Sequence, residues 1–206
     1  MNTLITKKSG ARELLLHVAE KLFAEYGFDR TSIRMIAGAA GLNLSLISYY
    51  FGSKHELLIE IFRIRLQQLN AALQAIPKLA GSVPDRLLGF MDVYAETSGN
   101  NKFFTLLNRE FAFSDVSPVK DLIRNYWDNV LTTVKTLVND GVKEGYFSSS
   151  DAHLAYFGIL GLFTILVCES PLNEIINTHF DPGGQMFTVE KIKTYLYNTL
   201  QNNQVE

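Results

Sequence analysis

Apolar residues recur every three or four positions along almost the whole chain, and no convincing stretch alternates with a period of two. A 3.6-residue period gathers such residues on one face of an α-helix, whereas a half-buried strand needs strict alternation. The chain is therefore expected to be all-α. Its 206 residues suffice for a real core, since a compact fold of this size buries roughly 70% of the surface its unfolded chain exposes. The pattern is broken by only 14 glycines and 5 prolines. That is too few for a disordered, collagenous or low-complexity chain.

The breaks fall where helices should start and stop. Leu15, Ala19, Leu22, Phe23 and Tyr26 define a helix over about residues 9–26, closed by Gly27. Thr31 can cap a short helix over 32–39, with Ile33, Ile36 and Ala37 facing inward. Gly41 interrupts, and Asn43 can cap a third helix over 44–51. Ser53 and Glu56 form a capping box before a long helix that Pro77 stops. Further helices are expected over 82–97, 102–113, 117–144, 151–169 and 188–202, which makes nine. Residues 171–179 read as irregular or a short turn, and no internal repeat or long linker appears.

Several classes are excluded by what the chain lacks. A single cysteine, Cys168, rules out a disulfide framework and a multi-cysteine zinc site. Its small apolar character suits a buried position. The run His55-Glu56-Leu57-Leu58-Ile59 lacks the second histidine of a zinc-protease helix. His17 and His153 read as surface or hydrogen-bonded histidines rather than ligands. No nucleophile–base or paired-carboxylate constellation stands at helical spacing, so catalytic residues, metals and cofactors are expected to be absent. The longest apolar run, residues 155–168, is shorter than the ~20 residues of a membrane helix. The first residues, MNTLITKKSGAR, contain no apolar secretion core. A cytoplasmic protein is expected.

Charge and motif point to one region. Residues 1–54 carry seven Lys/Arg against four acids, while residues 55–206 carry 12 against 17. A basic end on an acidic body suits an anionic partner. Within it, TSIRMIAGAAGLNLSLISYYFGSK spells two short helices joined by a glycine turn, a helix-turn-helix. On a helical wheel Ile47 and Phe51 point inward, Ser45 and Tyr49 lie opposite, and Leu46 and Ser48 flank them. That outer face carries no charge and can enter a major groove without repelling phosphates.

At these residues the chain resembles the tetracycline-repressor (TetR) family of bacterial regulators. The matching features are Thr31-Ser32, Ile36-Ala37, Ala40-Gly41, Tyr49-Tyr50-Phe51, Ser53-Lys54 and Glu56-Leu57-Leu58, with Ala19, Leu22, Phe23 and Gly27 before them. The match covers about residues 10–60. It departs at Leu44 and Leu46, where the family often has Lys and Thr, and at Tyr50, where His is common.

The resemblance implies a three-helix DNA-binding head, residues 1–53, and an effector-binding and dimerisation domain, residues 54–206. It implies a homodimer on a palindromic double-stranded operator, paired through the helices over 151–169 and 188–202. It implies a repressor released by a small apolar or amphiphilic ligand. The alternative is a regulator of the same fold with no small-molecule ligand, controlled by a protein partner. The expected DNA-binding residues are Thr31, Arg34, Ser45, Leu46, Ser48, Tyr49, Tyr50 and Lys54, with Lys7 and Lys8 as a mobile source of added charge. The expected effector residues are Phe104, Asn108, Phe111, Tyr126, Trp127 and Phe157, with Arg109 and Glu110 as further polar contacts. An unbroken core cluster of these aromatic residues is the competing reading.

Overall fold

The structure is a computed structural model that describes residues 2–98, 102–147, 157–161, 175, 178–179 and 188–201. The described residues are helical, with no strand among them. Their order is α1 (Asn2–Tyr26), α2 (Ile33–Ala40), α3 (Ser45–Phe51), α4 (Lys54–Ala75), a 3-10 turn (Ile76–Lys78), α5 (Val83–Ser98), α6 (Lys102–Phe113), α7 (Ser117–Lys143) and α8 (Val189–Gln201). Residues 157–161 are also helical. They fall inside the expected helix over 151–169, most of which, with Cys168 and His153, lies outside the described residues. Helix α1 starts seven residues before the expected position, because NTLITKK holds no Pro or Gly to stop it.

The helix ends follow from local chemistry. Ser32, not Thr31, caps α2, its hydroxyl accepting from the Met35 N–H at 3.2 Å. Gly41 closes α2 at φ +63°, a conformation that glycine adopts without Cβ strain. Helix α3 starts at Ser45, one residue later than expected, with Leu44 at the N-cap position; the Asn43 carboxamide oxygen, one residue before it, accepts from the Ser45 N–H at 2.9 Å. The Ser53 hydroxyl accepts from Glu56 N at 3.1 Å at the start of α4. Before α5 the Ser82 hydroxyl donates to Asp85 at 2.7 Å and accepts from the Asp85 N–H. Pro77 sits in the 3-10 turn that terminates α4.

Packing groups the described chain into two compact units. The first comprises residues 1–68 and 102–125, the second 69–101 and 126–206. In the first, Leu15, Ala19 and Phe23 form a fully buried stripe along α1. Each buried Leu or Phe contributes about 1.5–3 kcal/mol. Helix α1 packs on both α2 and α6. Polar ties join it to α4: Arg12 bonds Glu60 at 2.5 Å, and Arg65 bonds Glu20 through two hydrogen bonds of 2.7 and 2.8 Å. In the second unit, Ile192 and Leu196 bury one face of α8, which packs on α5, while Lys193 pairs with Asp92 at 2.6 Å.

Thr31 is fully buried although its side chain is polar. Its hydroxyl lies 2.8 Å from the Gly27 carbonyl and 3.2 Å from that of Leu22, closing the end of α1. Thr31→Val keeps the shape and leaves both carbonyls without this donor. It should destabilise the protein by about 1–2 kcal/mol, measured as a lower urea midpoint with an unchanged denaturant slope.

Candidate nucleic-acid interface

Helix α3 is held by its inner side chains. Ile47 and Phe51 are 1% and 8% exposed, and the Arg12 guanidinium stands 5.4 Å from the Phe51 ring centre. The opposite face is open: Ser45, Ser48 and Tyr49 are exposed, Tyr49 by 66%. Leu46 and Tyr50 are half-buried beside it. The Tyr49 and Tyr50 rings meet edge to face at 5.0 Å, which presents the Tyr49 ring outward. Arg34 and Met35 are exposed on α2. The wheel placement of α3 therefore matches the structure residue by residue.

Two of the residues expected at phosphates are turned inward. The buried Thr31 hydroxyl belongs to the α1 end described above. The Lys54 ammonium donates to the Phe28 carbonyl at 2.9 Å and the Thr31 carbonyl at 3.1 Å, and lies 4.1 Å from the Phe28 ring centre. Both side chains fasten the loop between α1 and α2 rather than reaching out from it. The Ser45 hydroxyl donates to Asn43 at 2.8 Å, which leaves its oxygen as an acceptor toward solvent. Ser32, exposed at the N-terminus of α2, is the polar residue that the sequence reading passed over. Thr and Ser both cap helices, and only the burial of Thr31 separates them.

The expected effector residues are scattered between core and surface. Phe104 and Tyr126 are 2% and 1% exposed, Trp127 is half-buried, and Asn108, Phe111 and Phe157 are exposed. Phe104 is closed into the core on the face of α6 that also buries Phe103, Leu106, Leu107 and Glu110. Tyr126 touches Trp127, with ring centres 5.6 Å apart. None of the six lines either of the two cavities found in the first unit. Arg109 and Glu110 do line the larger one, of about 590 Å³, together with Tyr26, Phe28, His55 and Phe113. Among the described residues no cluster of three metal-ligating side chains occurs, and no helix is long and apolar enough to cross a membrane.

Glu110 is 4% exposed. Burial raises its carboxyl above the usual range, the Asp29 charge adds to this, and the Ser114 hydrogen bond and Arg109 oppose it.

A three-helix head with an uncharged, outward-facing second helix after a glycine turn defines a helix-turn-helix DNA-binding protein. Residues 15–61 match the family described as bacterial regulatory proteins, tetR family. The head is that of a TetR-family transcriptional regulator. It is 24% identical to the HTH-type transcriptional regulator YhgD of Bacillus subtilis over 77% of this chain and 83% of that one. It is 27% identical to the HTH-type transcriptional repressor KstR2 of Mycobacterium tuberculosis over 76% and 79%. The solved structure of that ketosteroid transcriptional regulator shares the fold, with a TM-score of 0.68, 24% identity and 93% of each chain covered. So does FadR of Bacillus subtilis in complex with stearoyl-CoA, with a TM-score of 0.64, 17% identity and 94% and 99% covered.

Two measurements check this account of the head. Lys54→Ala removes two charge-assisted hydrogen bonds and should cost about 1–3 kcal/mol of stability. It should leave the salt dependence of DNA binding nearly unchanged, whereas loss of a phosphate contact lowers that slope by roughly one unit. For Glu110, a folded-state pKa above the unfolded one gives stability that is full below the unfolded value. That stability is lost as pH rises through the folded value. Glu110→Gln should therefore gain stability relative to the parent as pH rises above the ordinary carboxylate range of about 4.3. A difference in urea midpoint that stays constant between pH 4 and 8 would contradict it.

Proposed function

We propose that the chain binds a palindromic operator as a homodimer, acts in the cytoplasm as a repressor, and leaves the DNA when an amphiphilic ligand occupies the effector domain. The observation that carries the DNA reading is the exposed face of α3, which holds no charged side chain. In the major groove, apolar groups read the thymine methyl and short polar groups read base edges. Leu46 meets thymine methyls, Ser48 and the Ser45 oxygen make short hydrogen bonds, and Tyr49 is shared between base and phosphate. Ser32, Arg34 and Tyr50 serve the phosphates, as contacts that position without specifying sequence.

We place the functional boundary at 53/54 by this division of labour, although packing groups α6 and most of α4 with the head. The dimer reading rests on α8 and on the helix expected over 151–169, of which residues 157–161 are described. Ile192 and Leu196 are spent inside the chain, and Tyr195, 63% exposed, is the large side chain of α8 on the outer side. The ligand class rests on similar regulators, since Phe104 and Tyr126 are buried in the core and Asn108, Phe111, Trp127 and Phe157 line neither cavity. The names of KstR2, a ketosteroid regulator, and of FadR with stearoyl-CoA lend support.

Selection from a random duplex pool tests the reading. The selected sites should be two-fold symmetric, with half-site centres ~34–36 Å apart or a multiple of it. Leu46→Ala should reduce discrimination at T·A pairs by about 1 kcal/mol, the lower end of one good base contact. Unchanged preference at every position would remove Leu46 from the readout. Stearoyl-CoA should release the selected duplex where choline, small and hydrophilic, does not; release by choline alone would overturn the ligand class.

A further inference from the structure

Helix α1 ends without a cation of its own. Its last turn holds no basic residue and contains Glu25, an anion at the negative end of the helix dipole. The missing positive charge comes from α6. The Arg109 Nη1 donates to the carbonyls of Phe23 and Ala24 at 3.3 and 3.4 Å, across 86 and 85 residues of chain. The guanidinium crosses the face of Gly27, where a Cβ would stand 3.1 Å from the same nitrogen. Gly27 also sits at φ +88°. Glycine is favoured there by its backbone conformation, and a Cβ would also push the arginine aside by a few tenths of an ångström. Arg109 forms no ion pair among the described residues, so the α1 carbonyls are its partners.

That contact falls at the root of the helix-turn-helix. The last carbonyls of α1 lead through Gly27 into the loop that Thr31 and Lys54 fasten, and the loop leads into α2. Helix α6 therefore grips the base from which α2 and α3 are hung. The cavity of about 590 Å³ opens beside the guanidinium, which leaves the side chain half-buried with room to move rather than locked in a packed core.

We propose that Arg109 is a positioning residue for DNA binding: from α6 it holds the carboxyl end of α1, and with it the turn that carries the helix-turn-helix, in the pose that fits the duplex. It acts through α1 and touches no phosphate.

The test compares Arg109→Gln, Arg109→Lys and the double variant Arg109→Gln/Glu25→Gln on the duplex that the wild-type chain selects from a random pool. Affinity, salt slope and urea midpoint are read for each. Arg109→Gln should bind about tenfold more weakly, the size of an ordinary coupling between sites, with an unchanged salt slope. Arg109→Lys keeps a donor of the same charge and should recover most of the loss. Removing the Glu25 carboxylate relieves the helix dipole, so the double variant should regain midpoint without regaining affinity. Recovery of both together would make Arg109 a stabiliser of α1 and nothing more. A salt slope lowered by roughly one unit would make it a phosphate contact, and wild-type affinity in Arg109→Gln would remove it from DNA binding altogether.

Discussion

The head depends on how the carbonyl groups at the end of α1 are satisfied. A helix leaves its last carbonyls without intrahelical partners, and a helix end buried in protein must find donors elsewhere. Here the donors come from three places. Arg109 of α6 takes Ala24 and joins the Gly27 N–H on Phe23; the Thr31 hydroxyl reaches Leu22 and Gly27; and in the loop beyond, the Lys54 ammonium takes Phe28 and Thr31. One loop is thereby bonded to α6, to the approach to α2 and to the start of α4. Gly27 makes this possible by turning the chain at a positive φ and by leaving its face open to the arginine. The apolar stripe of α1 supplies the burial energy, and these polar ties fix the geometry.

The same satisfaction of donors explains which parts of the interface were legible in the sequence. Ile47 and Phe51 inward with Ser45 and Tyr49 outward follow from a 3.6 period alone, and the structure places them so. Gly41 and the hydrogen bonds of Asn43 and Ser53 at helix starts follow from local backbone chemistry, which five or six residues contain. Thr31 and Lys54 could not be read this way. A hydroxyl and an ammonium next to a DNA-binding motif look like phosphate ligands by residue type. Their actual partners are carbonyls: for Thr31 those of Gly27 and Leu22, four and nine residues back, and for Lys54 those of the loop after α1, up to 26 residues away. Arg109 belongs to the same case at 85 residues.

The effector residues were less legible because an aromatic cluster on helices has the same pattern whether it fills a core or walls a cavity. Phe104 and Tyr126 went to the core, where each removes a large apolar area from water. Polar Arg109 and Glu110 were the signal that α6 is not packed uniformly, and they are the two expected contacts that face an open space. Glu110 is tolerated there because Ser114 and Arg109 favour its charge while burial and Asp29 disfavour it. The balance leaves a carboxyl whose proton affinity is raised but whose hydrogen bonding is met.

The absence of charge on α3 changes what the head must do to bind. A recognition helix lined with Lys or Arg gains attraction over several ångströms and keeps much of it when slightly misplaced, since Coulomb energy falls only as the inverse of distance. Methyl contacts and short serine hydrogen bonds are lost within about an ångström. A helix that presents Ser45, Leu46, Ser48 and Tyr49 therefore draws its affinity from placement more than from charge. Placement is what the clamps on the α1 end provide: they remove freedom from the head before it meets DNA, so that less order has to be imposed on binding. The inward-turned Lys54 is consistent with this economy. Spent on two carbonyls, its charge ties the start of α4, just after α3, to the loop between α1 and α2, and in a head that reads by contact that tie is worth more than one further phosphate.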